Sequence, residues 1–224
     1  WWGDNSKLDF PRGYHIEVWG GMSQPNYGFG WDPNGMNKYL GLKVGGYGDS
    51  LRDDVKKYYG AVIGFGGRGE GLARKENYCE IDPTTVDEYG IPVLKFNYQW
   101  SDYERAQAKH MHETFEELIH NMGGIPLADK PGKDKDYGLL APGQIIHEVG
   151  TTRMGDDPAT SVTNKWQQLH DAKNVYVVDA GPFTSQADKN CTWTIMALSM
   201  RASEHLVEQF KKKEKQSPEQ NAAK

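Results

Sequence analysis

The chain has 224 residues and a formal net charge of −5, enough sequence for one large domain or two smaller ones and without a basic field for polyphosphate. A nucleic-acid partner is therefore not expected, and acidic sugars or lipids are not favoured. Cys79 and Cys191, the two cysteines, form neither a CxxC pair nor a zinc-ligand spacing, and no apolar run approaches the roughly 20 residues that span a bilayer; the expectation is a soluble chain, cytoplasmic or periplasmic, with no metal and no disulfide framework.

The chain opens on WWGDN and runs directly into patterned sequence, as a fragment, a processed chain or a trimmed domain would. Tyr14, Ile16 and Val18 alternate with His15, Glu17 and Trp19, which predicts a strand with one mixed aromatic face. The next stretch, GGMSQPNYGFGWDPNG, reads as a long aromatic loop, open to a binding role or to simple packing. LRDDVKKYYG predicts a short helix closed by Gly60, and AVIGFGG a strand. The glycines at 64, 66, 67, 69 and 71 read as a turn between strands. Their order is not GxGxxG, no ribose-binding acid follows, and no Lys-Ser/Thr pair completes a phosphate loop.

Tyr78 to Ile81 and Val93 to Tyr98 are strand candidates flanking the turn-like DPTTVDEYGIP, and together predict an antiparallel hairpin. The period then changes. Ala108, Met111, Phe115, Leu118, Ile119 and Met122 recur at threes and fours on a helix begun by Ser101 or Asp102 and ended by Gly123 and Gly124. On it, His110 and His112 stand two apart and share no face, so these and His120 are expected to meet solvent rather than a metal. The charged, turn-forming stretch from Leu127 to Gly143 reads as a surface connection. Val175 to Val178 predicts a short strand ending at Asp179 and Gly181, and from Thr192 an apolar stripe through Ile195, Leu198, Ala202 and Leu206 predicts a long helix with a frayed polar tail.

The chemistry concentrates between Ile145 and His205. His147 begins HEVGTTRMG, where Gly150 and Gly155 permit turns; a histidine there accepts a proton near neutral pH or serves as a hydrogen-bonded structural residue. Asn190 stands just before the helix that opens at Thr192, where free backbone N–H groups and the positive helix end stabilise negative charge on a ligand. Asn190 or Thr192 as a plain helix cap is the alternative.

Together HEVGTTRMG, NVYVVDAG and NCTWTIMALSMRASEHL resemble the C-terminal part of the glucose-methanol-choline (GMC) family of flavin-dependent oxidoreductases. Asn rather than His at position 190 resembles the pyranose-oxidising and sugar dehydrogenase branch. The likeness is specific from about residue 145 to 208 and weaker from 77 to 124, where NYCEIDPTTVDEYGIPVLKF is similar to the return of the family's substrate domain to its flavin domain. It implies FAD as cofactor, with His147 taking the proton of a substrate hydroxyl, Asn190 holding the alcohol oxygen, and hydride leaving for flavin N5. It implies that Asp179, Ala180 and Gly181 approach the flavin's linking chain, with a backbone donor near Ala180, and that Cys191 and Thr192 lie at the flavin O2 locus. Arg153 is expected to secure its turn, and Cys191 to be a small semi-buried residue.

The implied fold is mixed α+β. Residues 1–125 form a sheet-rich portion of a substrate domain with a long helix near 101–122, 126–144 a surface connection, 145–210 the C-terminal strand and helix of an FAD-binding α/β domain, and 211–224 a flexible tail. The family's N-terminal dinucleotide fingerprint is not recognisable here, so the expected partners are an N-terminal flavin-binding half or subunit, a sugar or glycoside, and an electron-acceptor protein or small subunit. The implied reaction is oxidation of a secondary alcohol to a keto-sugar. Its alternatives are oxidation of a non-sugar alcohol and a noncatalytic carbohydrate-binding or assembly subunit.

Overall fold

The alternation at Tyr14 becomes β1 (Tyr14–Gly20), which pairs antiparallel with β2 (Ile63–Gly69) in a register that sets Ile16 opposite Gly67 and Glu17 opposite Gly66. The structure is a computed structural model describing residues 7–20, 32–145 and 147–216, so most of the predicted aromatic loop, residues 21–31, lies outside it. The chain is mixed α and β, with two two-stranded sheets and four α-helices among the described residues. It divides into two compact units, residues 1–70 with 100–141, and residues 71–99 with 142–224.

In the first unit the glycine run is strand, not turn. The side chains it lacks are replaced by neighbours: a Cβ at Gly66 would meet the Trp19 ring at 2.2 Å, and one at Gly67 the Met111 sulfur at 2.3 Å. Glycine here permits close approach of backbone to side chain. Helix α3 (Asp102–Asn121) lies over this strand. Its first turn is closed by Glu104, whose carboxylate accepts from the Ser101 backbone N–H at 2.7 Å. Phe10, Tyr14 and Met111 form the core, with Tyr103 and Phe115 packed against them. Burial of such side chains stabilises by about 1.5–3 kcal/mol each.

Two of the three α3 histidines do not meet solvent as expected. His110 Nδ1 shares a 2.8 Å hydrogen bond with the Tyr14 hydroxyl, and burial holds the half-buried His112 below its usual pKa. Their partners are far away in sequence, at positions 14 and 137, so periodicity along the helix could not reveal them. Burial likewise pushes Tyr103 up to about 12, with Glu70 and Glu104 adding to the effect.

A short helix α1 (Pro33–Leu40) stands where the aromatic loop was expected to continue. Asp32 caps it by accepting from Gly35 N at 2.9 Å, and Pro33 suits the first helical position. Helix α2 (Asp49–Tyr58) follows the expected pattern. The stretch after α3 belongs to this unit through residue 141 and is more than a connection: Arg105 binds Asp136 at 2.7 Å, Lys130 binds Glu116 at 2.8 Å, and Trp100 Nε1 donates to Leu140 O at 2.8 Å.

The second unit contains the hairpin β3 (Tyr78–Val86) and β4 (Pro92–Asn97), paired with a register shift between Ile81 and Val86. It falls in one compact unit with the C-terminal segment. The Asp82 carboxylate takes the N–H groups of Thr84 and Thr85, which holds its pKa down to about 2. The strand expected at Val175 to Val178 is reduced to one antiparallel bridge, Tyr176 with Gln168. Helix α4 (Thr192–Gln216) carries through Lys211 to Gln216, where fraying was expected; residues 217–224 lie outside the described residues.

Candidate active site

Backbone pairing places the His147 segment. Gly150 N donates to Ala180 O at 3.2 Å, Thr152 N to Gly181 O at 3.0 Å and Met154 N to Pro182 O at 2.9 Å, a short ladder that binds HEVGTTRMG to the turn after Val178. Gly150 takes a positive φ of 88°, open to glycine at little cost. Gly181 is buried, and a Cβ there would stand 2.3 Å from Thr152 Oγ1. Arg153 is a structural donor: its guanidinium grips Thr160 O through Nε at 2.9 Å and a terminal nitrogen at 2.6 Å. Behind the ladder Thr163, with no exposed surface, donates to Thr152 O at 3.0 Å.

His147 is half-buried, with Nδ1 buried and unpartnered among the described residues. Asp179 closes the turn by accepting from Gly181 N at 2.7 Å. Gly181 therefore spends both backbone groups inside the chain, whereas the Ala180 N–H makes no hydrogen bond among the described residues.

At the other end of the turn lies a cavity of about 270 Å³ lined by Met154, Phe183, Gln186, Asn190, Cys191 and Leu198, among others. Met154 belongs to both ladder and cavity, so the His147 segment is anchored to the wall that holds Asn190. His147 and Thr192 do not line it. Helix α4 begins with Ile195 N donating to Cys191 O at 3.0 Å, so the N–H groups of its first turn are free of intrahelical partners. Neither the Asn190 nor the Thr192 side chain makes a hydrogen bond among the described residues. Gln186 Nε2 donates to Lys189 O at 3.0 Å and ties the loop just before Asn190. Helix α4 is fastened by Ser199, whose hydroxyl donates to Val178 O at 2.7 Å, and by His205, stacked on Trp166 at 4.2 Å.

Sequence reasoning missed the apolar wall of Met154, Phe183 and Leu198. Met154 stood within HEVGTTRMG, and Leu198 on the predicted stripe, but their convergence depends on the ladder. A larger cavity of about 380 Å³, lined by Tyr14, Ile16, Thr114 and Glu117, lies in the other unit and holds none of the expected site residues. Among the described residues no three His, Cys, Asp or Glu side chains gather to hold a metal, and no helix is long and apolar enough to cross a membrane.

A family model described as GMC oxidoreductase matches residues 73–199. The chain is 31% identical over 182 residues to 2-methyl-1,2-propanediol dehydrogenase of Mycolicibacterium austroafricanum, covering 81% of this chain and 32% of that protein. It is 28% identical over 169 residues to the gluconate 2-dehydrogenase flavoprotein of Pantoea cypripedii, covering 74% and 27%. With the fructose dehydrogenase large subunit of Gluconobacter japonicus it shares 25% identity over 185 residues, covering 81% and 32%. The chain thus spans about a third of the length of these relatives.

Proposed function

The chain belongs to the GMC oxidoreductase family, and from that premise we propose that it supplies the alcohol-handling side of an FAD-dependent enzyme that oxidises a secondary alcohol of a sugar or glycoside to the ketone. The observation that carries this reading is the ladder from Gly150 to Met154, which ties the segment bearing His147 to the cavity lined by Asn190.

The residues fit a flavin on three counts. Ala180 offers a free backbone N–H, the side-chain-free Gly181 allows its turn to pack tightly, and α4 presents the unpaired N–H groups of its first turn beside Cys191 and Thr192. Bound FAD supplies the acceptor for the hydride that leaves the carbinol carbon. His147 takes the hydroxyl proton. With Nδ1 buried, acceptance falls to Nε2, and a neutral imidazole suits that role near pH 7. Asn190 donates its uncommitted amide N–H to the alcohol oxygen, fixing it without competing for the proton. The start of α4 favours negative charge close by. Met154, Phe183 and Leu198 give the cavity an apolar wall beside Asn190.

Relatives named for gluconate and fructose support a polyhydroxylated substrate. The relative named for 2-methyl-1,2-propanediol favours a second reading, a small non-sugar alcohol oxidised by the same residues. The test is anaerobic flavin bleaching in the purified native protein that contains this chain, with all its natural subunits. Bleaching by sugars or glycosides is expected. Bleaching by small diols alone selects the second reading, and a colourless protein defeats both.

A further inference from the structure

The two faces of the β1–β2 sheet differ in chemistry. Tyr14 and Ile16, with Phe65 and Gly67 from the paired strand, face α3: Tyr14 shares its hydrogen bond with His110, Phe65 stacks on Phe115 at 5.8 Å, and Gly67 meets Met111. By strand alternation the opposite face carries His15, Glu17 and Trp19 from β1 and Gly64, Gly66 and Arg68 from β2. Glu17 is its centre. One carboxylate oxygen lies 3.2 Å from His15 Nε2 and the other 2.8 Å from Arg68 Nε. The hydrogen bond from Arg68, with help from His15 and against the effect of burial, holds the Glu17 carboxyl below the usual carboxylate range, so it is ionised near neutral pH. Beside it Trp19 reaches across to Gly66, where a Cβ would stand 2.2 Å from the ring, and stays 38% exposed. A Cβ at Gly64 would meet only Trp19 O, 4.0 Å away, so this part of the face is open among the described residues.

We infer that Glu17, Arg68 and Trp19 form a recognition face for a neutral sugar or glycoside, gripped through two adjacent hydroxyls, and that the same face turns away sugar acids. Three features choose this ligand. An ionised carboxylate has about four lone-pair positions, and the contacts with His15 and Arg68 engage one on each oxygen, which leaves each oxygen able to accept from a hydroxyl. The terminal nitrogens of Arg68 make no hydrogen bond among the described residues and can donate to a sugar oxygen. The flat indole beside them covers the C–H face that a sugar ring presents next to its hydroxyls. The charge then decides which sugar fits. Glu17 and Arg68 cancel, and a carboxylate brought by the ligand would meet that of Glu17 while the Arg68 cation is already engaged.

That the bound sugar is a substrate rests on the flavin-dependent reading above; the binding itself does not. The test is calorimetric titration of the purified native protein, with all its natural subunits, using methyl β-D-glucopyranoside and D-gluconate as probes. The parent should bind the glucoside at least about tenfold more tightly than gluconate. Glu17→Gln keeps the shape, removes the charge and leaves Arg68 unopposed, so it should weaken the glucoside by about tenfold and strengthen gluconate. Glu80→Gln on the hairpin changes the net charge equally and should leave both probes within about twofold of the parent. Equal weakening of the two probes by Glu17→Gln makes Glu17 a support of the sheet alone and overturns the inference, as does a parent that binds gluconate as tightly as the glucoside or binds neither. If Glu17→Gln does not fold, Trp19→Leu decides: affinity for the glucoside should fall by about tenfold, and unchanged affinity overturns the inference. A protein that prefers the glucoside in this way yet is colourless supports the inference and defeats the flavin-dependent reading.

Discussion

The two units secure their interiors by different means. In the first, large apolar side chains from β1, the residues before it and α3 meet in one core, and the buried polar groups Glu104 and Gln107 are engaged in capping or hydrogen bonds. In the second, the largest fully buried side chains are Thr163, Gln167 and Pro182, regular structure among the described residues is limited to a hairpin and one helix, and much apolar surface faces outward. Ile81 and Leu94 pair across the hairpin, as do Cys79 and Phe96, yet Ile81, Leu94 and Phe96 are all exposed. A two-stranded hairpin gains little stability by itself in water. The contrast teaches that one unit is organised to hold its own shape, while the other presents chemistry on irregular backbone and keeps its apolar faces available.

The sharpest test of this division separates activity from stability. His147→Ala should slow alcohol-driven flavin reduction by about 10²- to 10⁴-fold in stopped-flow measurements, with the flavin spectrum and melting temperature nearly unchanged. A rate within threefold of the parent would remove His147 from the chemistry and end the division of labour.

Gly69→Ala should act in the opposite way, through stability. The new Cβ would fall 1.6 Å from Gln107 Oε1, forcing out a buried side chain whose Nε2 donates to Gly13 O at 3.2 Å. A loss of about 1–3 kcal/mol is expected in urea unfolding. A change below about 0.5 kcal/mol would show that the first unit is looser than its core implies.

Gln167 probes the second unit. It is fully buried, takes a positive φ of 61°, and its amide nitrogen and oxygen have no partner among the described residues. Truncation of a large buried side chain ordinarily costs about 2–5 kcal/mol. Gln167→Gly should cost less than about 1 kcal/mol, because relief of the left-handed backbone and of the unpaired amide offsets the lost packing. A full truncation penalty in urea unfolding would show that this interior is as well satisfied as the other.

The smallest effect concerns pH. Burial lowers the His112 pKa in the folded chain, so folding favours the neutral ring. That stabilisation is fully present above about pH 6.5, the ordinary histidine value, and is lost as pH falls through the lower folded pKa. Urea midpoints between pH 8 and pH 5 should decline less in His112→Gln than in the parent. Identical slopes would assign the decline to other groups.

What could be read in advance follows the range of the interactions. The Tyr14 alternation, the α3 and α4 periodicities and the hairpin are local patterns, and each element formed where expected. Helix α1 was hidden by Asn34 and Gly35, although Asp32 followed by Pro33 is a start signal. The glycine strand was read as a turn because the residues that fill its missing side chains, Trp19, Met111 and Gln107, lie 38 or more positions away in sequence. In the site, His147 and Asn190 stood out by motif, whereas the Met154–Phe183–Leu198 wall arises from pairing between segments about 30 residues apart.

The glycine strand also bears on how a mutational map of this protein should be interpreted. Gly66, Gly67 and Gly69 each face a different neighbour at less than van der Waals distance from a would-be Cβ, so almost any missense change there injures the fold. A saturation screen scored by enzyme output alone would rank these three positions beside His147 and mark a stretch of sheet as though it were a second reaction centre. Scoring abundance in parallel would separate them, and would show that the stretch richest in the smallest residue is among the least tolerant of replacement.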